Sequence, residues 1–131
     1  MAEGKLKGFL IDLIDGTAKA VEFEDKLEEL YKLTNCDCID ITMRKVGNFE
    51  YDIVCDDEGL LKDRKIPTAC NEKKEPMLVG NLLFCNHDDE GGLASLNDEQ
   101  LKDLESHVAH YMFDDGHWVQ LVPIVTCMDY C

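Results

Sequence analysis

Cysteine and histidine side chains at two places in the chain are of the types that bind transition metals. Cys85 and His87 are one residue apart and precede three acidic residues, 88–90, and Cys36 and Cys38 are also one residue apart. Zinc sites usually place two to four residues between their thiolate ligands, so the spacing of Cys36 and Cys38 is too short. Cysteines are also among the most buried residue types. We therefore predict that the cysteines belong to the core and that no metal or other cofactor is bound, with a metal-stabilised structural protein as the alternative.

The sequence lacks the patterns of a catalytic nucleophile and of a phosphate-binding loop. No G-x-S-x-G motif occurs, and most cysteines fall inside segments that read as strands. The pair Gly91-Gly92 precedes a helix, but Asp88, Asp89 and Glu90 would repel an anion there. The same loop lacks the spacing of calcium ligands in an EF-hand. We therefore predict that the protein is not an enzyme.

Carboxylates are concentrated in the last third of the chain. The sequence has 28 acidic and 13 basic residues, yet residues 86–131 contain ten acids and one base, Lys102. Ordinary surfaces mix both signs of charge, so a region this one-sided favours contact with a positively charged partner. The alternative is an acidic surface that only maintains solubility.

Length and composition indicate one globular domain, 1–131. The chain has 131 residues, of which 45% are hydrophobic and 31% charged, enough to build one core. The few basic residues are scattered, which disfavours direct binding of nucleic acid. No apolar segment approaches the roughly 20 residues of a membrane span. Seven cysteines without a secretory signal favour reduced thiols and a cytoplasmic location.

The first half of the sequence predicts two β-hairpins with a helix between them. Asp15-Gly16 is a turn signal between strands over residues 5–14 and 18–23. The helix covers about residues 24–33, with an apolar face made of Phe23, Leu27, Leu30 and Tyr31. A second hairpin joins residues 36–46 to 49–55 through Gly47-Asn48.

The strand over residues 36–46 alternates between apolar and polar side chains. Ile39, Ile41 and Met43 fall on one face, and Asp40, Thr42 and Arg44 on the other. Such a strand has one face against the core and one in water. We therefore expect the isoleucines and Met43 to be buried.

The second half predicts a buried strand, a helix and a final strand. Residues 60–75 read as irregular, and 77–85 as one central strand in which Gly80 permits a close approach. Asn97 and Gln100 stand in a capping-box arrangement at the start of a helix. Its buried stripe is predicted to contain Leu101, Leu104, Val108, Tyr111 and Met112, with Asp98, Glu99 and Asp103 on the opposite half. A strand over residues 117–122 ends at Pro123.

Together these elements predict an α+β fold. Strand pairs joined by tight turns imply a mainly antiparallel sheet of about five to six strands, with two helices packed on it.

Four segments carry a resemblance to a known family. They are C-D-C-I-D-I over residues 36–41, Y-D-I-V-C-D-D-E-G-L over 51–60, L-V-G-N-L-L-F over 78–84 and G-L-A-S-L-N-D-E over 92–99. The chain resembles an uncharacterised domain family of short proteins from phages and conjugative elements of gut Gram-positive bacteria. The pattern covers roughly Phe23 to His110 and leaves the tail from Phe113 outside. The resemblance implies an accessory role in which anti-defence is common, and it supplies no catalytic residues.

Charge and resemblance lead to one main hypothesis. The protein is expected to inhibit a host defence protein, such as a CRISPR or restriction effector, by binding its basic groove with an acidic surface that mimics nucleic acid. The expected partner-binding residues are Asp88, Asp89, Glu90, Asp98, Glu99, Asp103, Asp114 and Asp115. The alternative is a module that sequesters a signalling nucleotide without catalysis, through basic residues such as Arg44, Lys45 or Arg64.

Overall fold

The elements of the fold are ten strands and two helices in the residues that the structure describes. This computed structural model describes residues 5–13, 15–36, 38–47, 49–56, 67–73, 75–114, 116 and 119–127. The elements, in chain order, are β1 Lys5–Asp12, β2 Thr17–Glu24, α1 Leu27–Thr34, β3 Ile39–Val46, β4 Phe49–Asp56, β5 Pro67–Cys70, β6 Pro76–Val79, β7 Leu82–His87, β8 Leu93–Ala94, α2 Asp98–Ser106, β9 Val108–Asp114 and β10 Val119–Thr126.

The strands form two sheets. The larger sheet has the order β2-β1-β7-β4-β3, with β8 paired to the end of β7, and every neighbouring pair in it is antiparallel. The smaller sheet has the order β6-β5-β10-β9, in which only β5 and β10 run parallel. The predicted α+β fold, with a mainly antiparallel sheet of five to six strands and two helices, is confirmed. The second sheet was not predicted.

The larger sheet is covered on both faces. On one face Phe9, Tyr51 and Phe84 pack with α2 and with the inner side of the smaller sheet. On the other face Leu83 and Val54 pack against α1. The central strand β7 is therefore buried on both sides, and its residues Leu82 to Cys85 are wholly inaccessible to solvent. This arrangement explains why that segment is apolar without alternation.

The segment predicted as one central strand is two strands in different sheets. β6 belongs to the smaller sheet and β7 to the larger one, and the chain changes sheet at Gly80 and Asn81. Gly80 has φ +79° and a Cβ added to it would contact nothing within 4 Å. Its role is therefore the backbone conformation of the crossover, and the predicted close approach at Gly80 is wrong.

The predicted burial of the apolar face of β3 is wrong at two of its three residues; Ile39 packs against the core beside α1. Ile41 and Met43 are 47% and 44% exposed, whereas Arg44 on the opposite face is only partly accessible. β3 is an edge strand, and its alternation alone does not state which face meets a neighbour. In α1, Leu27 is likewise exposed while Thr34 is buried.

The largest departure from the sequence prediction lies after α2. The helix ends at Ser106, and Val108–Asp114 continues as β9, so Tyr111 and Met112 lie on a strand and are exposed. The segment predicted as irregular contains β5, a neighbour of β10. Pro123 lies inside β10 and does not end it, because β5 pairs with β10 only from Val125 onward and needs no amide from position 123.

Candidate partner-binding surface

Five of the predicted partner-binding residues lie at one end of the larger sheet. β7 ends at His87 and the chain reverses through residues 88–92 into β8. Asp88 stabilises this reversal, because its Oδ1 accepts hydrogen bonds from the amides of Glu90 and Gly92 at 2.9 and 2.8 Å. This local geometry explains why Asp is present at position 88. It leaves Asp88, Asp89 and Glu90 exposed at the turn.

The first turn of α2 lies beside that turn. Asn97 Oδ1 accepts from the Gln100 amide at 2.9 Å, and Gln100 Oε1 accepts from the Asn97 amide at 3.0 Å. The predicted capping box is therefore confirmed. The side chain of Asn86, two residues before Asp88, donates to the same Gln100 oxygen at 3.3 Å. Asp98 and Glu99, which are exposed, thus lie at the same end of β7 as the turn.

We define the acidic surface as Asp88, Asp89, Glu90, Asp98 and Glu99. Among the described residues, no lysine or arginine forms an ion pair with any of the five. The charged pair that is formed elsewhere, Lys26 with Glu24 at 2.8 Å, lowers the pKa of the Glu24 carboxyl through its hydrogen bond. The five residues are exposed, and their carboxylates are not paired with any lysine or arginine in the described part of the chain.

Asp103 does not lie on the exposed half of α2, and that prediction is wrong. Only 11% of its side chain is accessible, and its Oδ2 accepts a hydrogen bond of 2.8 Å from the hydroxyl of Tyr51. The Tyr51 ring is fully buried, and burial, followed by the bond to Asp103, raises the pKa of its hydroxyl. Asp103 therefore fixes α2 on the sheet.

Two more contacts surround the same carboxylate. His107 Nδ1 lies 3.6 Å from Asp103 Oδ1 and 2.7 Å from the Asp103 carbonyl oxygen. Gly47, in the β3–β4 turn, lies so close that a Cβ there would clash with Asp103 Oδ1 and with His107 Cε1. The helical period could have indicated this site, because positions 100, 103, 104 and 107 share one face. The predicted stripe also includes Val108 and Tyr111, which lie on β9 and not on the helix. Treating them as helical rotates the inferred buried face of α2 away from Asp103.

Asp114 lies apart from the acidic surface. It is exposed at the end of β9, opposite Val119, and its Oδ1 accepts from the Gly116 amide at 2.9 Å. The neighbouring Gln120 donates to the carbonyl oxygen of Leu13, past the end of β1. The acidic surface instead adjoins Lys7, near the start of β1, through the bonds to Ser95 and Leu96. Asp115 lies outside the described residues.

The cysteines and histidines do not form a metal centre in the part of the chain that is described. No three Cys, His, Asp or Glu side chains converge there. Cys85 is buried, and burial, with Asp52 and Asp25 nearby, raises the pKa of its thiol to about 12. His87 lies 3.4 Å from Asp52. A thiol that stays protonated is a poor metal ligand and a poor nucleophile.

Of the three basic residues of the alternative hypothesis, the structure describes two, Arg44 and Lys45, and these do not share a face of β3. Arg44 is half-buried and donates through Nη1 to Thr42 Oγ1 and to the Met43 carbonyl oxygen, at 2.8 and 2.9 Å. Its Nε is buried and has no hydrogen-bond partner among the residues that the structure describes. Lys45, the next residue of β3, lies on the opposite face, and Arg64 lies outside the described residues.

Comparison with known proteins identifies the family. In the described residues, no helix combines the length and the apolar character that crossing a membrane requires. No curated protein and no solved structure matches the chain. The family DUF3846, a domain of unknown function, matches residues 6–109, and the chain, with its acidic surface inside the matched region, belongs to this family.

Proposed function

We propose that this protein is an anti-defence protein of a phage or mobile element of gut Gram-positive bacteria. In the cytoplasm of the host it inhibits a CRISPR or restriction effector, without catalysis, by occupying the effector's basic groove. The carboxylates of the acidic surface take the place of nucleic-acid phosphates in that groove.

One observation carries the proposal: five exposed carboxylates lie at one end of a sheet, with no lysine or arginine of the described chain paired to them. Unpaired surface carboxylates cost little in water, and their complementarity to a cationic partner raises the association rate and the selectivity of binding. A rigid base supports them, because the turn at Asp88 and the capping box of α2 are both hydrogen-bonded. Preorganised charge loses less entropy on binding than charge on a flexible loop.

The test is DNA cleavage by purified CRISPR and restriction effectors of such a host, measured with and without the protein. We expect inhibition that weakens steeply as salt rises, because screening acts on exposed charges. Reversal of Asp98 and Glu99 to lysine should weaken inhibition by at least about tenfold, since rim charges govern association.

A matched control is available in the other helix. Glu28 and Glu29 occupy the first turn of α1, which packs on the opposite face of the larger sheet. Reversal of Glu28 and Glu29 to lysine changes the net charge by the same amount as reversal of Asp98 and Glu99. Equal losses in the two double variants, or no loss in either, would contradict recognition by the acidic surface. Asp103 is left unchanged because it binds Tyr51.

A second candidate function rests on Arg44. Its guanidinium is half-buried, and among the described residues no carboxylate pairs with it and its buried Nε has no hydrogen-bond partner. Arginine binds phosphate in a bidentate manner, so the ligand of this second proposal is a signalling nucleotide. A rise in melting temperature with one nucleotide of a panel, lost in Arg44→Ala, would support sequestration. A flat response across the panel would reject it.

A further inference from the structure

Among the described strands, β9 differs from the other three that end the two sheet orders, which are β2, β3 and β6. β2 carries Lys19, Glu22 and Glu24, and β3 carries Asp40, Arg44 and Lys45. β6 has four residues, begins with a proline and pairs irregularly with β5. Charge, short length, proline and bulges are the features that prevent edge strands from pairing with other chains. Each of these three edges has at least one of them.

β9 has almost none of these protective features. It is seven residues long, V-A-H-Y-M-F-D, and contains no Lys, Arg or Glu and a single Asp, Asp114, at its end. Its pairing with β10 runs without a register shift from Val108 to Asp114. Among the described residues no strand pairs with its outer edge. Tyr111 and Met112 are 47% and 65% exposed, so this edge is apolar as well as unpaired.

The backbone groups that point outward can be assigned from the register. The Thr126 amide donates to the His107 carbonyl oxygen at 3.2 Å, which makes positions 107 and 126 a hydrogen-bonded pair. Because such pairs alternate along an antiparallel ladder, Ala109 and Tyr111 point their backbone groups toward β10. His110 and Met112 point theirs away from the sheet. Pro123, which has no amide hydrogen, pairs with His110, as this alternation requires.

We propose that two copies of this chain associate by antiparallel pairing of their β9 edges about a two-fold axis at Tyr111. In this register His110 of one copy faces Met112 of the other, and Val108 faces Asp114. All four positions present outward backbone groups, so about eight backbone hydrogen bonds can form. The two smaller sheets become one continuous sheet of eight strands.

A second copy is the occupant because the β9 edge is self-complementary: in the two-fold register every outward position faces another outward position, and no like charges face each other. The chain has a net charge of −15, so most ways of bringing two copies together oppose carboxylates. The β9 register instead places each Asp114 opposite Val108, and the two Asp114 carboxylates lie about 20 Å apart, six residues along a strand. An interface of two seven-residue strands is at the small end of specific interfaces. We therefore expect a reversible dimer whose fraction depends on concentration.

Sedimentation velocity over roughly a hundredfold range of concentration tests the dimer. We expect a shift from monomer to dimer that strengthens as salt rises, because salt screens the repulsion between two negative chains. This salt dependence is opposite to that of the proposed binding to a basic groove. The two proposals can therefore fail separately.

Substitution distinguishes the β9 edge from other surfaces. Met112→Lys places a charge on β9 and should abolish the dimer, whereas Ile41→Lys adds the same charge at an exposed site of edge strand β3 and should leave it intact. Circular dichroism checks that both variants remain folded. A wild-type chain that is monomeric at every concentration and salt, or equal dimerisation of the two variants, would overturn the proposal.

Hydrogen exchange tests the register itself. The amides of His110 and Met112 should gain protection as protein concentration rises. Those of Ala109 and Tyr111 should be protected at all concentrations, because they bond to β10. Outward amides that exchange at one rate across the concentration range would exclude pairing through β9.

Discussion

At the scale of single residues, Asp103 shows how one contact changes the interpretation of a carboxylate. Its helix also carries Asp98, Glu99 and Glu105, and composition alone groups Asp103 with the acidic surface. The hydroxyl of the buried Tyr51, at 2.8 Å, instead makes it a structural acceptor. The second acceptor of that hydroxyl is the Gln100 carbonyl oxygen at 3.2 Å. Tyr51 therefore joins β4 to two positions of α2.

The Tyr51–Asp103 bond is open to a double-mutant cycle. Asp103→Ala leaves the buried hydroxyl with one acceptor and should lower the free energy of unfolding by about 1–3 kcal/mol. Tyr51→Phe removes the donor and should cost about 1 kcal/mol. Because the two groups bind each other, the double variant should lose less than the sum of the single losses. Urea unfolding gives the free energy of unfolding of the wild type, the two single variants and the double variant. Strictly additive losses would show that the Tyr51–Asp103 bond does not contribute to stability.

At the scale of elements, α2 is positioned by a glycine in a distant turn. Gly47 has φ +58°, and a side chain there would enter the space of Asp103 and His107. The requirement for glycine thus has two sources, the left-handed backbone and the close approach of the helix. The turn signal in the sequence indicates only the first.

Two alanine substitutions separate these sources. Gly91→Ala changes a residue with φ +85° whose added Cβ meets nothing within 4 Å, so it should cost only the backbone penalty of about 1–2 kcal/mol. Gly47→Ala has that penalty and also displaces Asp103, adding about 1–3 kcal/mol of overpacking. Thermal unfolding should therefore give a clearly lower melting temperature for Gly47→Ala. Equal melting temperatures would mean that the helix moves away without loss.

At the scale of the whole molecule, buried thiols link stability to alkaline pH. Burial raises the pKa of the Cys55 and Cys127 thiols to about 11, and that of Cys85 to about 12, from an ordinary value of 9.0. Below pH 9 these thiols are neutral in the folded and in the unfolded protein, and their full contribution to the free energy of unfolding is present. Above it the unfolded thiols ionise first, so the contribution is lost as pH rises toward the folded pKa values.

We therefore expect the free energy of unfolding to fall between about pH 9 and pH 11, by up to about 1.4 kcal/mol per pH unit for each thiol. Urea titrations at a series of pH values measure the slope. Cys85→Ala should make it shallower, whereas Cys38→Ser, at an exposed cysteine, should leave it unchanged. A slope that is the same in Cys85→Ala as in the wild type would reject the linkage.

Local chemistry in the sequence determined a large part of this molecule. The hairpin at Gly16, the turn at Gly47, the capping box at Asn97 and the apolar core of β7 all follow from residues within a few positions of one another. Such features depend on backbone conformation and short-range hydrogen bonds, which local sequence specifies. The α+β class with a mainly antiparallel sheet follows from their order.

The tertiary structure decided what pairing between distant segments controls. Val108–Asp114 is compatible with a helix or a strand, and its contact with β10 selects the strand. The exposed face of β3, the division of residues 76–87 between two sheets and the burial of Asp103 also depend on partners far along the chain. The sequence determined that the protein is acidic. Only the assembled fold shows that five carboxylates face solvent at one end of the sheet, whereas that of Asp103 binds the buried Tyr51. The reason is that the exposure of a side chain depends on which surfaces of the fold meet.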